Sequence, residues 1–170
     1  MRRLVMMSGL PGSGKSTLGK RLAECTGAQL LRIDLFEQTL RNRHGPGFDV
    51  GTAGYQRGYD LAAGHLIAGR EVIADAVNAV EAARQGWRNI AAGTGAAMVE
   101  VEILCSDDDE FRTRLATRNT GIQGLAPVSF EEARGRAWEE NPHLAIRLDT
   151  AGQTVAESLD ALLHLLPRHG

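Results

Sequence analysis

The sequence predicts an α/β fold in which a parallel sheet is covered by helices on both faces. Two observations carry that expectation. Short apolar runs alternate with helix-period segments along the whole chain, and strands separated by helices pair in parallel. The first run, Leu4-Val5-Met6-Met7, passes directly into Gly9-Leu10-Pro11-Gly12-Ser13-Gly14-Lys15-Ser16-Thr17, a loop of the form G-x-x-x-x-G-K-[ST] between a strand and a helix. The length of 170 residues suits a single domain over 1–170 with a sizeable core.

Each element follows from local pattern. Residues 15–26 place Leu18 and Leu22 on one helical face, and Gly27 is the stop. Residues 28–33 form the second strand, which ends at Asp34. Helical spacing returns over 35–43 until His44-Gly45-Pro46-Gly47 breaks it. A further helix over 53–68 leads to a short strand at 71–74 that ends at Asp75. Residues 81–92 are helical, 97–104 are the longest strand, and Ser106-Asp107-Asp108-Asp109 opens a helix whose acidic first turn suits its positive dipole end. Glycine and proline punctuate 119–128. Ser129-Phe130-Glu131-Glu132 is a capping box for the next helix. A last strand at 145–149 precedes a last helix over 154–166, opened by a second capping box from Thr154 to Glu157.

Composition narrows the function classes. A formal net charge of -2 argues against nucleic acid as an obligatory partner. Lys15 and Lys20 are the only lysines among 19 basic residues, so converging cations are arginines suited to bidentate phosphate contact. Cys25 and Cys105 are too few for a disulfide framework or a cysteine metal site, and a reducing compartment is the simpler expectation. The first apolar run is too short for a signal segment or a membrane span, so a cytoplasmic chain with no membrane partner is expected.

The loop predicts a phosphate site. Its backbone N–H groups converge on a concavity, and the first turn of the following helix adds its positive end. Glycines at 9, 12 and 14 let backbone and phosphate approach. Lys15 is expected to reach the β and γ phosphates, and the Ser16 hydroxyl to be a ligand of the bridging Mg²⁺.

In open parallel sheets ligands bind beyond the carboxyl ends of the strands. Asp34, Asp75 and Asp149 close three of the five expected strands. Asp34 is the candidate general base for an acceptor hydroxyl, with a D-x-x-E helix cap as the structural alternative. Asp75 suits a magnesium or acceptor contact, with a turn aspartate as its alternative and Asn78 as a supporting partner. Asp149-Thr150-Ala151-Gly152-Gln153 spells the switch sequence of small GTPases, but it lies too near the end of the chain and lacks a guanine-specific N-K-x-D after it. A strand end and turn is the economical reading.

Arg112, Arg114 and Arg118 fall on one expected helix, with Arg114 and Arg118 four residues apart on one face. A lid over about 112–136 is expected to close on the nucleotide, with Arg114 and Arg118 as its phosphate-facing residues and Arg134 and Arg136 as a second arm. Arg112 is assigned to a solvated face. Arg84 is a candidate to face the acceptor. The acceptor itself is expected between Asp34 and Asp75, where Tyr55, Tyr59 and five glycines between 45 and 58 suggest an adaptable pocket for a small hydroxylated molecule. His65 is expected to be an ordinary helix residue.

With these residues assembled, the chain resembles the small P-loop kinases of the AAA-type ATPase group, whose relatives include polynucleotide kinase, chloramphenicol phosphotransferase, gluconate kinase and zeta toxins. It is most similar to uncharacterised bacterial members that read Arg32-Ile33-Asp34, Glu37-Gln38, Asp75-Ala76-Val77-Asn78 and Asp149-Thr150-Ala151-Gly152. The resemblance spans essentially the whole chain. It implies a five-stranded sheet of order 2-3-1-4-5, ATP with Mg²⁺ as donor, Asp34 as base, Arg114 or Arg118 as lid arginine, and the turn after Asp149 near the adenine. One position departs from polynucleotide kinases, which carry a phosphate-gripping arginine where this chain has Glu37. That departure favours a small alcohol over a phosphate-bearing acceptor.

Overall fold

A computed structural model describes residues 2–45 and 47–167; Pro46, part of the expected break at 44–47, lies outside the described residues. The elements follow in the order β1 (Arg3–Ser8), α1 (Lys15–Thr26), β2 (Gln29–Arg32), α2 (Ile33–His44), α3 (Ala53–Ile67), β3 (Val72–Asp75), α4 (Glu81–Thr94), β4 (Ala97–Leu104), α5 (Asp108–Ala116), α6 (Phe130–Arg134), β5 (Ile146–Asp149) and α7 (Val155–Leu165). The five strands pair in parallel in the order β2-β3-β1-β4-β5. This is the expected strand order, that of the P-loop NTPase fold.

The apolar runs are continuous because both faces of the sheet are covered. Val5 and Met7 point to one side of β1, where they meet Leu18 and Leu22 of α1 and Leu162 of α7. Leu4 and Met6 point to the other, into a core with Ala62 and Leu66 of α3 and Trp87 of α4. A smaller cluster of Cys105, Phe111, Leu115 and Ala133 packs α5 against α6. Both capping boxes form, at Ser129 with Glu132 and at Thr154 with Glu157. Among the described residues no helix is long and apolar enough to cross a membrane.

Two boundaries differ from expectation in ways that move site residues. The second strand stops at Arg32, and Ile33 already opens α2 with its side chain buried in the core beside Trp87. Asp34 therefore lies in the first turn of α2, and the helix has no side-chain cap. The D-x-x-E cap does not form. The span expected as a lid, 112–136, is helical toward both ends. Phe111 and Leu115 fix α5 to α6, which leaves 117–128 as the span without regular structure.

Candidate active site

The phosphate loop owes its shape to two glycines. At Gly9 φ is +151°, and an added Cβ would lie 2.3 Å from the Ile103 carbonyl oxygen of the neighbouring strand. At Gly12 φ is +86°, and a Cβ would press on Leu115 at 2.9 Å. The loop is thus wedged between β4 and α5, in a conformation that only glycine adopts without strain. Gly14, also left-handed, precedes α1 and gives it no side-chain cap, so the amides of the first turn remain free to meet an anion. Leu10, Pro11, Gly12, Gly14, Lys15, Ser16 and Thr17 line an open cleft of about 970 Å³. Gly9 and Ser13 instead border a smaller cavity of about 510 Å³ behind the loop; their part is backbone shape, and the buried Ser13 hydroxyl has no hydrogen-bond partner.

Three chain segments meet at Asp75, the last residue of β3. Its carboxylate takes the Lys15 ammonium on Oδ1 and faces the Arg32 Nε at 3.6 Å on Oδ2, and the Ser16 hydroxyl hydrogen-bonds to it. Burial pushes this carboxyl up, but Lys15, with Ser16 and Arg32, outweighs burial and holds it below its ordinary value. Asp75 is therefore a buried anion kept charged by two cations. Asn78 does not support it. With φ at +50°, Asn78 donates to the Met7 carbonyl and accepts from the Trp87 indole, at 2.9 and 3.0 Å. It joins β1 to α4 instead.

Asp34 lies in the first turn of α2, two residues past the end of β2. Its Oδ2 lies 3.8 Å from an Arg118 Nη, which brings the candidate base together with a candidate lid arginine. The two expected lid arginines do not share a helix face, because α5 ends at Ala116 and Arg118 lies beyond it. Arg114 turns the other way. It donates to the Ser13 carbonyl and to the hydroxyl and carbonyl of Thr150, and pairs with Glu110. Arg114 thereby fixes the phosphate loop to the turn after β5. Asp149 accepts from the Ser106 and Ala151 amides, as a strand-end turn residue does.

Several candidates have structural employment. Arg84 is fully buried, and its guanidinium donates to four main-chain carbonyls, those of Asn78, Ala79, Glu139 and Glu140. It staples the turn after β3 to the strap at 139–141 and does not face an acceptor. Arg134 stacks on Phe111 and pairs with Asp108, so it anchors α6 instead of serving as a lid arm. Arg112 lies over Phe130. Tyr59 donates to the Ala83 carbonyl at 2.8 Å, packs edge-on against Trp87, and burial pushes its hydroxyl up to about 12. His65 lies in α3, where its ring accepts from Arg70.

Within 34–75, the span expected to hold the acceptor, Tyr55 and Glu37 lie near each other. The Tyr55 oxygen accepts the Asn78 amide at 3.2 Å, and burial raises its pKa. Glu37 packs so tightly on Gly54 that a Cβ there would lie 2.3 Å from it. Burial raises the Glu37 pKa, the Asp34 charge adds to that rise, and Arg41 and Arg136 oppose it. The inference that Glu37 repels phosphate therefore loses force, because two guanidinium groups stand beside it. Sequence reasoning passed over Arg32 and Trp87. Their signal was slight: an arginine just before Asp34, and an indole at helical spacing from Arg84.

The AAA domain family AAA_33 matches residues 4–144 of the chain. An uncharacterized protein of Mycobacterium tuberculosis H37Rv is 33% identical over 162 residues, covering 88% of this chain and 32% of its own length; the chain thus spans about a third of the length of the curated relatives it matches. Among solved structures, a Chloroflexus aurantiacus protein superposes with a TM-score of 0.76 at 19% identity, covering 98% of this chain and 99% of that one. A gluconokinase of Sinorhizobium meliloti gives 0.68 at 18%, over 97% and 93%. The APS kinase of Mycobacterium tuberculosis, in complex with AMPPNP and APS, gives 0.67 at 20%, over 96% of each chain. At these identities the structural likeness is one of fold.

Proposed function

The chain belongs to the AAA domain family AAA_33, and from that premise we propose that it is an ATP-dependent kinase that transfers the terminal phosphoryl group to a hydroxyl of a small molecule. The observation that carries this reading is the meeting of Lys15, Ser16 and Asp75 beside the phosphate loop, one strand away from an Asp34 that faces Arg118. The residues present fit a magnesium nucleotide: a loop only glycines can shape, uncapped amides at the start of α1, and a buried lysine on the cleft wall. Among the described residues no group of three or more His, Cys, Asp or Glu could cage a metal by itself, which suits an ion held mainly by phosphate oxygens.

When bound, the magnesium nucleotide supplies the phosphoryl group and a Lewis acid that draws charge from it. The chain's part is positioning and electrostatics. Loop amides and Lys15 hold the phosphates, Ser16 is the direct metal ligand, and Asp75 orients Ser16. Asp34 orients the acceptor hydroxyl and takes its proton on a carboxylate oxygen. Arg118 balances negative charge between the two substrates, and 117–128 shields them from water. Arg114 maintains the floor of the nucleotide cleft.

The test is ADP release from ATP and Mg²⁺ across a panel of hydroxylated metabolites and antibiotics. The reading expects one chemical class to raise release well above the ATP-only background. A flat panel would leave a nucleotide-responsive binding protein as the better account, and preferential labelling of 5′-hydroxyl oligonucleotides would replace the small-molecule acceptor with nucleic acid.

A further inference from the structure

The lid span is fastened to the rest of the molecule through β2 and α2. Arg118 faces Asp34 at 3.8 Å, the Asn42 amide donates to the Gln123 carbonyl at 3.1 Å, and both Nη atoms of Arg32 donate to the Thr120 carbonyl at 3.1 Å. Arg32 is the contact that also reaches the phosphate site. It ends β2 directly opposite Asp75 in the sheet register, and its Nε, buried and without a hydrogen bond, lies 3.6 Å from Asp75 Oδ2. The other oxygen of that carboxylate takes Lys15. A continuous chain of charge therefore runs from Lys15 through Asp75 and Arg32 to the backbone of the lid.

We propose that Arg32 is a positioning residue that couples the state of the phosphate loop to the placement of the lid, with Nε on Asp75 and the two Nη atoms on Thr120. The inference rests on the nucleotide half of the function proposed above and not on the identity of any acceptor. A phosphate that draws Lys15 to itself removes one of the two cations on Asp75. Arg32 then becomes the main protein cation on a buried carboxylate, so its hold on Asp75 tightens, and the rigid guanidinium carries Thr120 with it. Lysine has no fork with which to serve both partners at once. Charge alone does not replace it.

Hydrogen–deuterium exchange over 119–124, read with and without ADP and Mg²⁺, tests this in the wild type, Arg32→Met and Arg32→Lys. In the wild type the nucleotide is expected to slow exchange in this span. In Arg32→Met the span is expected to exchange about tenfold faster without nucleotide, the loss of a charged hydrogen-bond donor to its backbone, and to respond little to nucleotide. Because coupling is reciprocal, calorimetry should show ADP binding Arg32→Met a few-fold more weakly than wild type, so exchange is read at saturating nucleotide in every protein. Arg32→Lys is expected to keep the native gain in ADP affinity on adding Mg²⁺ while leaving lid exchange fast. Native lid protection in Arg32→Met, or full restoration of that protection by lysine, would overturn the proposal. A protein that shows the coupling yet phosphorylates no acceptor would sink the kinase reading alone.

Discussion

The two sides of the cleft are built in different ways. On the nucleotide side nine consecutive residues, Gly9 to Thr17, supply the loop, the lysine and the hydroxyl, and Asp75 with its partner Arg32 and the anchors Arg114 and Thr150 come from elsewhere. On the side proposed for the acceptor, Asp34, Glu37, Tyr55 and Arg118 come from three separate segments. Residues with no chemistry of their own stand behind them: Trp87 holds Asn78, whose amide donates to Tyr55, and Arg84 joins that turn after β3 to 139–140. A contiguous motif fixes donor chemistry through backbone conformation, whereas an assembled pocket is fixed by packing. The phosphate-loop side is thus set by local sequence and the opposite side by the fold.

The sharpest way to break the nucleotide side is Lys15→Met, which should lower phosphoryl transfer by about a thousandfold in single-turnover assays, the scale of losing one charge-stabilising donor. Retention of more than a tenth of the rate would move the phosphate contact to another residue. Gly9→Ala comes next. Its Cβ meets a backbone oxygen that cannot step aside, so unfolding free energy should fall by about 3 kcal/mol, read by urea titration. On the acceptor side Arg84→Met should cost about 2 kcal/mol by leaving carbonyls at 78–79 and 139–140 unpaired. It should raise the KM for acceptor and leave nucleotide affinity alone. Equal damage to both affinities would mean that the two sides are not built independently.

That difference also explains what the sequence made legible. The phosphate loop, both capping boxes and the strand-end positions of Asp75 and Asp149 follow from local pattern, because each depends on neighbours in the chain, whereas the strand order, a matter of distant pairings, came from the resemblance alone. Arg84, Arg134 and Arg114 were misread or only half read for one physical reason. An arginine's employment is decided by whichever carbonyl, ring or carboxylate the fold brings to it, and those partners lie between 3 and 101 residues away. Arg32 was invisible as a link because its second partner is a backbone oxygen at Thr120. The boundary error at Asp34 arose because Ile33 is equally apolar whether it ends a strand or starts a helix.

Smaller effects sharpen the contrast. Tyr59→Phe removes one hydrogen bond to Ala83 and should cost about 1 kcal/mol with transfer unchanged; a fall in transfer would bring Tyr59 into the acceptor pocket. The carboxylates of the two sides titrate with opposite sign. The Asp75 pKa lies below its ordinary 3.8, so its stabilising contribution is complete above that value and fades as pH falls beneath it. The Glu37 pKa lies above its ordinary 4.5, so its charge opposes folding near neutrality and that opposition fades as acid protonates it. Glu37→Gln should therefore raise the melting temperature at pH 7 and converge with wild type as pH drops through the raised pKa. A gain that persists into acid would assign the effect to packing against Gly54.

The central claim, that Asp34 serves an acceptor hydroxyl while Lys15 and Asp75 serve the nucleotide, is tested most directly by Asp34→Asn with γ-labelled ATP and the best acceptor of the panel. The account predicts native ATP affinity by calorimetry and a loss of label in the phosphoester product of about a hundredfold or more. Transfer at the wild-type rate, or loss of ATP affinity in step with transfer, would contradict it.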